Sequence, residues 1–256
     1  MSLQACADLL ARGDHDRFRA TMAAPLAARR VLLPLYAFNL EVSRAPWRSD
    51  TPPIAEMRLQ FWRDVVAERV AGSAPRAHEV VTPLAAALPA AVAGPLDRLV
   101  AARRWDIYTD PFADDAEFDA YLEDTGATLA WVAAHALGAP EAAEAMVRDA
   151  GWAFGLAGYL RAVPALMAAG RVPLIDASPA GLRDLAGRGL ARLARARAQR
   201  ARLPASAAPA LFAGFRTEPT LRAVLSDPGR VVADRLPQPG LGDSLRLAWV
   251  ATTGRW

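Results

Sequence analysis

Apolar side chains recur at intervals of three and four residues along nearly the whole chain, and clusters of Pro, Gly and Asp interrupt them. That period is helical, and no regular period-two run suggests a strand. The spacing predicts a helix beginning after Asp14 or Asp16, either of which can cap it. A second helix is expected over about 25–45, with Leu26, Leu33, Ala37 and Leu40 as its buried stripe, and a loop over 46–53. A third, over about 54–70, carries Met57, Phe61, Val65 and Glu68. Residues 83–108 hold one or two helices that end near Asp110-Pro111. Asp114-Asp115 open the next, which runs to Leu137 with Gly138 as its C-cap. A long apolar helix over about 141–167, an Arg-rich one over 182–202 and a last one over 243–252 complete the expectation. No repeat, linker or shift in composition divides the chain. The reading is one all-α domain of eight to ten helices over 1–256, with its core over about 14–250.

Composition sharpens the fold class. Alanine is the commonest residue and isoleucine occurs only at Ile54, Ile107 and Ile175, a balance that favours helix over strand. With 53% hydrophobic residues the chain is globular. Every one of the 30 basic residues is arginine, which points to a GC-rich bacterial genome, and the net charge of only +3 gives nucleic-acid binding little support. Cys6 is the only cysteine, so no intramolecular disulfide forms and a reducing compartment is expected. The N-terminus has no basic and apolar signal pattern, and the longest apolar runs fall short of the roughly 20 residues of a membrane span.

Two segments carry the informative residues. One is Leu35-Tyr36-Ala37-Phe38-Asn39-Leu40-Glu41-Val42-Ser43-Arg44-Ala45-Pro46-Trp47, followed by Met57-Arg58-Leu59-Gln60-Phe61-Trp62. The other runs from Gly151 to Leu174 and includes Gly158-Tyr159-Leu160-Arg161-Ala162-Val163-Pro164 and Gly170-Arg171. Both resemble the metal-binding helices of the squalene/phytoene synthase family, and the resemblance extends from about Asp14 to Trp249. It implies a helical bundle around a central cavity. In that family two Asp-x-x-x-Asp elements on facing helices hold Mg²⁺, which neutralises the departing diphosphate. Laid over the pattern, the first element's acids fall on Ser43, Arg44 and Trp47, and the second's on Ala162, Ala165 and Leu166. Glu41 is the only carboxylate left near the first element.

Ala37-Phe38-Asn39-Leu40-Glu41 before Met57–Trp62, together with Tyr121-x-Glu123-x-Thr125, is similar to a non-catalytic branch of the family. That branch includes a mitochondrial respiratory complex I assembly factor and its alphaproteobacterial relatives. The resemblance implies no catalytic residue, no metal and no cofactor, Mg²⁺ entering only if the chain is an active head-to-head prenyl transferase. Tyr36, Asn39, Arg44, Gly158, Tyr159, Arg161 and Arg171 become candidates for lining a cavity or binding an anion. The implied partners are a complex I assembly intermediate, an isoprenoid or an anionic lipid. The implied place is the bacterial cytoplasm, or the periphery of the membrane's inner face. A metal-independent lipid carrier, with Arg44, Arg161 or Arg171 on a phosphate, is the further alternative.

Other signals read as structural. Asp106-Ile-Tyr-Thr-Asp110 spells D-x-x-x-D, but Pro111 places Asp110 at a solvated helix end. Asp114, Asp115, Glu117 and Asp119 read as first-turn acids that favour a helix N-terminus. His15, His78 and His135 show no ligand spacing. Gly151, Gly155 and Gly158 suggest close helix packing. Arg188, Arg192, Arg195 and Arg202 read as a solvated face, or as one that docks on anionic lipid.

Overall fold

The computed structural model describes residues 2–256, and among them every regular element is helical. The chain order is α1 (Leu3–Gly13), α2 (His15–Met22), α3 (Leu26–Arg44), α4 (Pro52–Val70), α5 (Val81–Ala87), α6 (Ala90–Ala93) and α7 (Leu96–Ala102). After a turn-rich stretch come α8 (Asp115–Leu122), a π-helical segment (Glu123–Ala127), α9 (Thr128–Ala136), α10 (Glu144–Ala168) and α11 (Pro179–Ala198). A 3₁₀ stretch over Ala208–Gly214 leads to α12 (Thr217–Ser226), α13 (Gly229–Val232) and α14 (Leu241–Thr253).

The expected helices are present where a cap marked them. Asp14 accepts from the backbone N–H of Arg17 and opens α2, Asp114 does the same for Glu117 and opens α8, and Gly138 turns the chain at φ +94°. Three expectations need correction. Fourteen α-helical segments occur among the described residues, not eight to ten, because 83–108 breaks at Pro89 and Pro95 into pieces of α5, α6 and α7. The second helix of the sequence reading is α3, and its first-turn Leu26 is exposed while Leu33, Ala37 and Leu40 are buried. A helix also precedes Asp14: α1 packs on α3 with Cys6 and Leu10 fully buried, so the core begins well before residue 14.

Two apolar clusters meet along α10. One gathers α1, α3, α4, α5, α7 and α9 around Phe38 and Trp62, whose rings meet edge to face at 5.4 Å. The other joins α8, α11 and α12 around Trp152, Leu156 and Leu160 of α10, all fully buried. Glycine lets α10 touch the π segment backbone to backbone. A Cβ on Gly151 would lie 2.6 Å from the Ala130 Cβ and 2.7 Å from the Ala127 Cα, and one on Gly126 would lie 2.7 Å from the Gly151 carbonyl oxygen. The packing role read for the glycine ladder therefore holds at Gly151 and Gly155. Gly158 has open space where its Cβ would be.

Two of the three histidines are structural, and His15 is exposed. The His78 ring accepts from the Val80 N–H and packs on Phe61 and Trp62, and His135 stacks on Trp131. Among the described residues no single helix is long and apolar enough to cross a membrane.

Candidate functional site

The gap between α3 and α10 is a cavity of about 680 Å³. Helix α3 contributes Tyr36, Asn39, Leu40 and Ser43, and Trp47 follows from the turn after it. Facing them, α10 supplies Phe154, Gly155, Ala157, Gly158, Tyr159, Arg161, Ala162, Ala165 and Leu166. Tyr121, Thr125, Gly126, Leu129 and Ala130 form a third wall from α8 through α9, and residues from 13–17 and 210–217, with Arg103 and Asp106, close most of the remainder. The close approach of Gly126 to Gly151 and Gly155 sets how near the third wall stands to α10.

Of the positions read as former metal ligands, Ser43, Trp47, Ala162, Ala165 and Leu166 line this one cavity, from both facing helices. Arg44 does not. Its guanidinium lies against Gly13, a lining residue at the end of α1, without itself entering the lining. Arg171 is also absent from the lining. It donates to the backbone carbonyls of Trp105, Tyr108 and Asp106 and lies over the Trp47 ring at 4.7 Å, so it clamps the turn after α7. Of the three arginines named as candidates for a phosphate, Arg161 lines the cavity, while Arg44 and Arg171 are not among its lining residues. The Arg171 guanidinium is used in packing the fold. Ser43 donates to the Leu40 carbonyl within its own helix, and Glu41 faces Arg48 at 3.0 Å.

Asp14, Asp16 and Asp106 are the carboxylates of the lining, and arginine holds each of them. Asp14 pairs with Arg17, whose guanidinium sits 5.7 Å over the Tyr36 ring. Asp16 accepts from Arg161 at 2.8 Å and from Arg216 at 2.7 Å, and Arg216 lies 3.4 Å from Asp243 as well. Burial alone would raise the Asp16 pKa, but the Arg216 hydrogen bond and the charges of Arg161 and Arg216 outweigh it and lower it. Burial, aided by repulsion from Arg216, lowers the Arg161 pKa against the pull of Asp16. On the opposite side Asp106 accepts from Arg103 at 3.2 Å and from the Tyr121 hydroxyl at 3.1 Å, while Arg103 also donates to that hydroxyl at 2.7 Å. Deep burial pushes the Asp106 carboxyl above its usual range, and Arg103 and Tyr121 only partly counter it. Desolvation likewise raises the Tyr36 phenol to about 12 and the Tyr159 phenol well above its ordinary value.

Tyr36 donates to the Ala210 carbonyl at 3.1 Å and Tyr159 to the Pro173 carbonyl at 2.8 Å, so both present ring faces to the cavity with their hydroxyls tied down. The sequence reading missed Arg17, Arg103 and Arg216 as site residues. They come from three distant elements, and no local spacing links them. Asp106 and Asp14 were visible, one as the first acid of a D-x-x-x-D spacing and the other as a cap. Asp110 is exposed, as expected, but it lies in an irregular segment well past the end of α7 and not at a helix end.

The arginines of α11 are not a free face. Arg188 bonds Asp119 at 2.6 Å, Arg192 pairs with Glu123, and Arg195 bonds Asp149 at 3.1 Å, while Arg192 also lies 4.3 Å over the Trp152 ring. Asp119 is therefore an interhelix partner, which corrects its reading as a first-turn acid. No group of three or more His, Cys, Asp or Glu side chains is placed to hold a metal ion among the described residues.

A model of the squalene/phytoene synthase family matches residues 10–174. The chain is 30% identical over 167 residues to a Drosophila melanogaster protein described as NADH dehydrogenase (ubiquinone) complex I, assembly factor 6 homolog. That match covers 62% of the chain and 50% of the fly protein. It is 26% identical over 166 residues to the complex I assembly factor 6 of Rattus norvegicus, covering 62% of the chain and 48% of the relative. The chain thus spans about half the length of the curated relatives it matches. Among solved structures, a dehydrosqualene synthase in complex with ligand superposes with a TM-score of 0.81 at 13% identity, over 98% of this chain and 95% of that one. The squalene synthase HpnC from Alicyclobacillus acidocaldarius gives 0.71 at 15% identity, over 87% and 92%. At such identities these two structures establish a shared fold.

Proposed function

Because the chain belongs to the squalene/phytoene synthase family, we propose that it keeps the family's cavity without the family's reaction, and acts by binding in the assembly of respiratory complex I. The observation that carries the first half is the pair of facing walls. A departing diphosphate has about three negative charges, and Mg²⁺ needs oxygen ligands in near-octahedral array to neutralise it. Where the resemblance expects acids, α3, the turn after it and α10 present Ser43, Trp47, Ala162, Ala165 and Leu166 to the cavity, with one hydroxyl among them. The remaining carboxylates, Asp14, Asp16 and Asp106, are already bound by Arg17, Arg161, Arg216 and Arg103. This donor set does not fit Mg²⁺.

The second half draws on the curated relatives, whose names are those of complex I assembly factors. On this reading the protein works in the bacterial cytoplasm at the inner face of the membrane. Deleting its gene in the host lowers assembled complex I and rotenone-sensitive NADH oxidation, and normal levels of both overturn the assembly role. Purified protein given farnesyl or geranylgeranyl diphosphate with Mg²⁺ forms no C30 or C40 product. Robust turnover overturns the non-catalytic reading.

A metal-independent lipid carrier is the second reading, favoured by a cavity of about 680 Å³ that Arg161 lines. Native mass spectrometry of protein from its host then finds a co-purified isoprenoid. Its binding survives EDTA and is lost in Arg161→Ala.

A further inference from the structure

Helix α14 has two apolar faces, and only one of them is used. Leu247 and Val250 are buried against the core. Leu241, Leu245 and Trp249 recur every four residues and are 86%, 73% and 58% exposed. At 100° per residue, they and the exposed Ala248 cover an arc of about 100° directly opposite the buried pair. The helix is firmly built on its inner side. Asp243 caps it by accepting from the Gly240 N–H at 3.2 Å and reaches Arg216, and Ser244 accepts from Arg19 of α2 at 2.7 Å. A helix so anchored presents its outer stripe as a fixed surface.

We propose that this outer face of α14 docks on an anionic lipid bilayer. Two observations favour lipid over a protein partner. The polar side-chain atoms of the stripe are the Trp249 indole N–H and the Thr252 hydroxyl, and that hydroxyl donates back to the Ala248 and Trp249 carbonyls of its own helix, so the stripe has little with which to register a protein surface. An indole flanked by leucines suits the boundary between headgroup and acyl chain. The second observation is charge. Arg197 donates to the Trp256 carbonyl at 3.0 Å and folds the segment after α14 back onto the end of α11. Arg200 and Arg202 just past α11, and Arg255 just past α14, are exposed and without a carboxylate partner among the described residues. Each such arginine near an anionic surface strengthens attachment and makes it salt-dependent. This docking deepens the location proposed above and rests on that reading only for which membrane is meant.

The test is sedimentation of the full chain with phosphatidylcholine vesicles, with and without phosphatidylglycerol. Binding is expected only to the anionic vesicles and is weakened by salt. Replacing Leu241, Leu245 and Trp249 together with Gln lowers the partition coefficient by about tenfold or more, since two nearly bare leucines and an indole leave the interface. Substituting Gln at Arg200, Arg202 and Arg255 lowers it by about tenfold at low salt and flattens the salt dependence. All six positions are exposed, so thermal melting should be unchanged. As an independent measure, brominated lipid quenches tryptophan fluorescence in the wild type and much less in Trp249→Phe. Absence of vesicle binding, or equal binding by the Leu241/Leu245/Trp249 variant, overturns the proposal. So does a wild-type dimer that this variant converts to monomer, because the stripe would then be an interface between copies. None of these readouts depends on complex I, so failure here leaves the assembly role to its own experiment.

Discussion

Replacing Asp16 with Asn tests the central claim about the cavity, that its charges are internally paired. The side chain keeps its shape and loses only its charge. In the wild type it accepts hydrogen bonds from Arg161 at 2.8 Å and Arg216 at 2.7 Å, and the Arg216 side chain is 8% exposed. A hydrogen bond to a charged group contributes about 1.5–3 kcal/mol, and breaking a fully buried ion pair costs about 3–5 kcal/mol. Arg161 is a third exposed and Arg216 retains Asp243, so the expected loss is below that range, about 2–3 kcal/mol at neutral pH. Urea unfolding followed by circular dichroism reads it directly. The sign of the pH dependence follows from the lowered folded pKa of Asp16. Its contribution is complete above the unfolded value near about 3.9 and disappears as pH falls through the lower folded value. Wild type and variant should therefore differ equally at pH 7 and pH 5 and converge only in acid below about pH 4. A second readout is inorganic pyrophosphate without metal, which should bind the variant more tightly than the wild type because a guanidinium has been released. A loss under about 0.5 kcal/mol at pH 7, or unchanged pyrophosphate affinity, refutes the paired-charge account.

Gly151→Ala forces a methyl to within 2.7 Å of backbone and should destabilise by about 2–3 kcal/mol, whereas Gly187→Ala, with nothing within 4 Å in the middle of α11, should stabilise by up to about 1 kcal/mol; differential scanning calorimetry checks both. Burial, reinforced by Glu79, holds the Cys6 thiol near about 11, so iodoacetamide at pH 8 leaves it unmodified until denaturant is added. Tyr36 keeps its proton to about 12 in the folded state against about 10 unfolded. Its contribution is whole below pH 10 and is lost as pH rises through 12, so urea midpoints should fall over that window and fall less in Tyr36→Phe.

Much of the fold was legible because its boundaries are chemical. Asp114, Pro25 and Gly138 mark ends that a chain of any fold would respect, and α10 is long and apolar enough to be unmistakable. The missed α1 lacks such a mark. It ends at the same Asp14 that caps α2, so two helices meet without a proline or a linker between them. The facing walls of the cavity were legible from the resemblance, since position along α3 and α10 decides which residues look inward. Direction of a long side chain was not. Gly170 turns the chain at φ +75°, and that turn sends Arg171 toward the carbonyls of 105–108 and away from the cavity. The partners of the α11 arginines, Asp119, Glu123 and Asp149, lie on other helices, so no spacing within α11 could announce them.

The π segment at Glu123–Ala127 has a consequence for insertions and deletions. Its wider turn holds one residue more than an α-helix would, and that surplus sets the phase between α8 and α9. Tyr121 before it and Leu129 after it both look into the cavity. Removing one residue would let the three pieces run on as a single α-helix, with α8 rotated about 100° relative to α9. Tyr121 would swing out of the wall and abandon Arg103 and Asp106. Along this wall the number of residues is thus constrained separately from the side chain that Gly126 forbids.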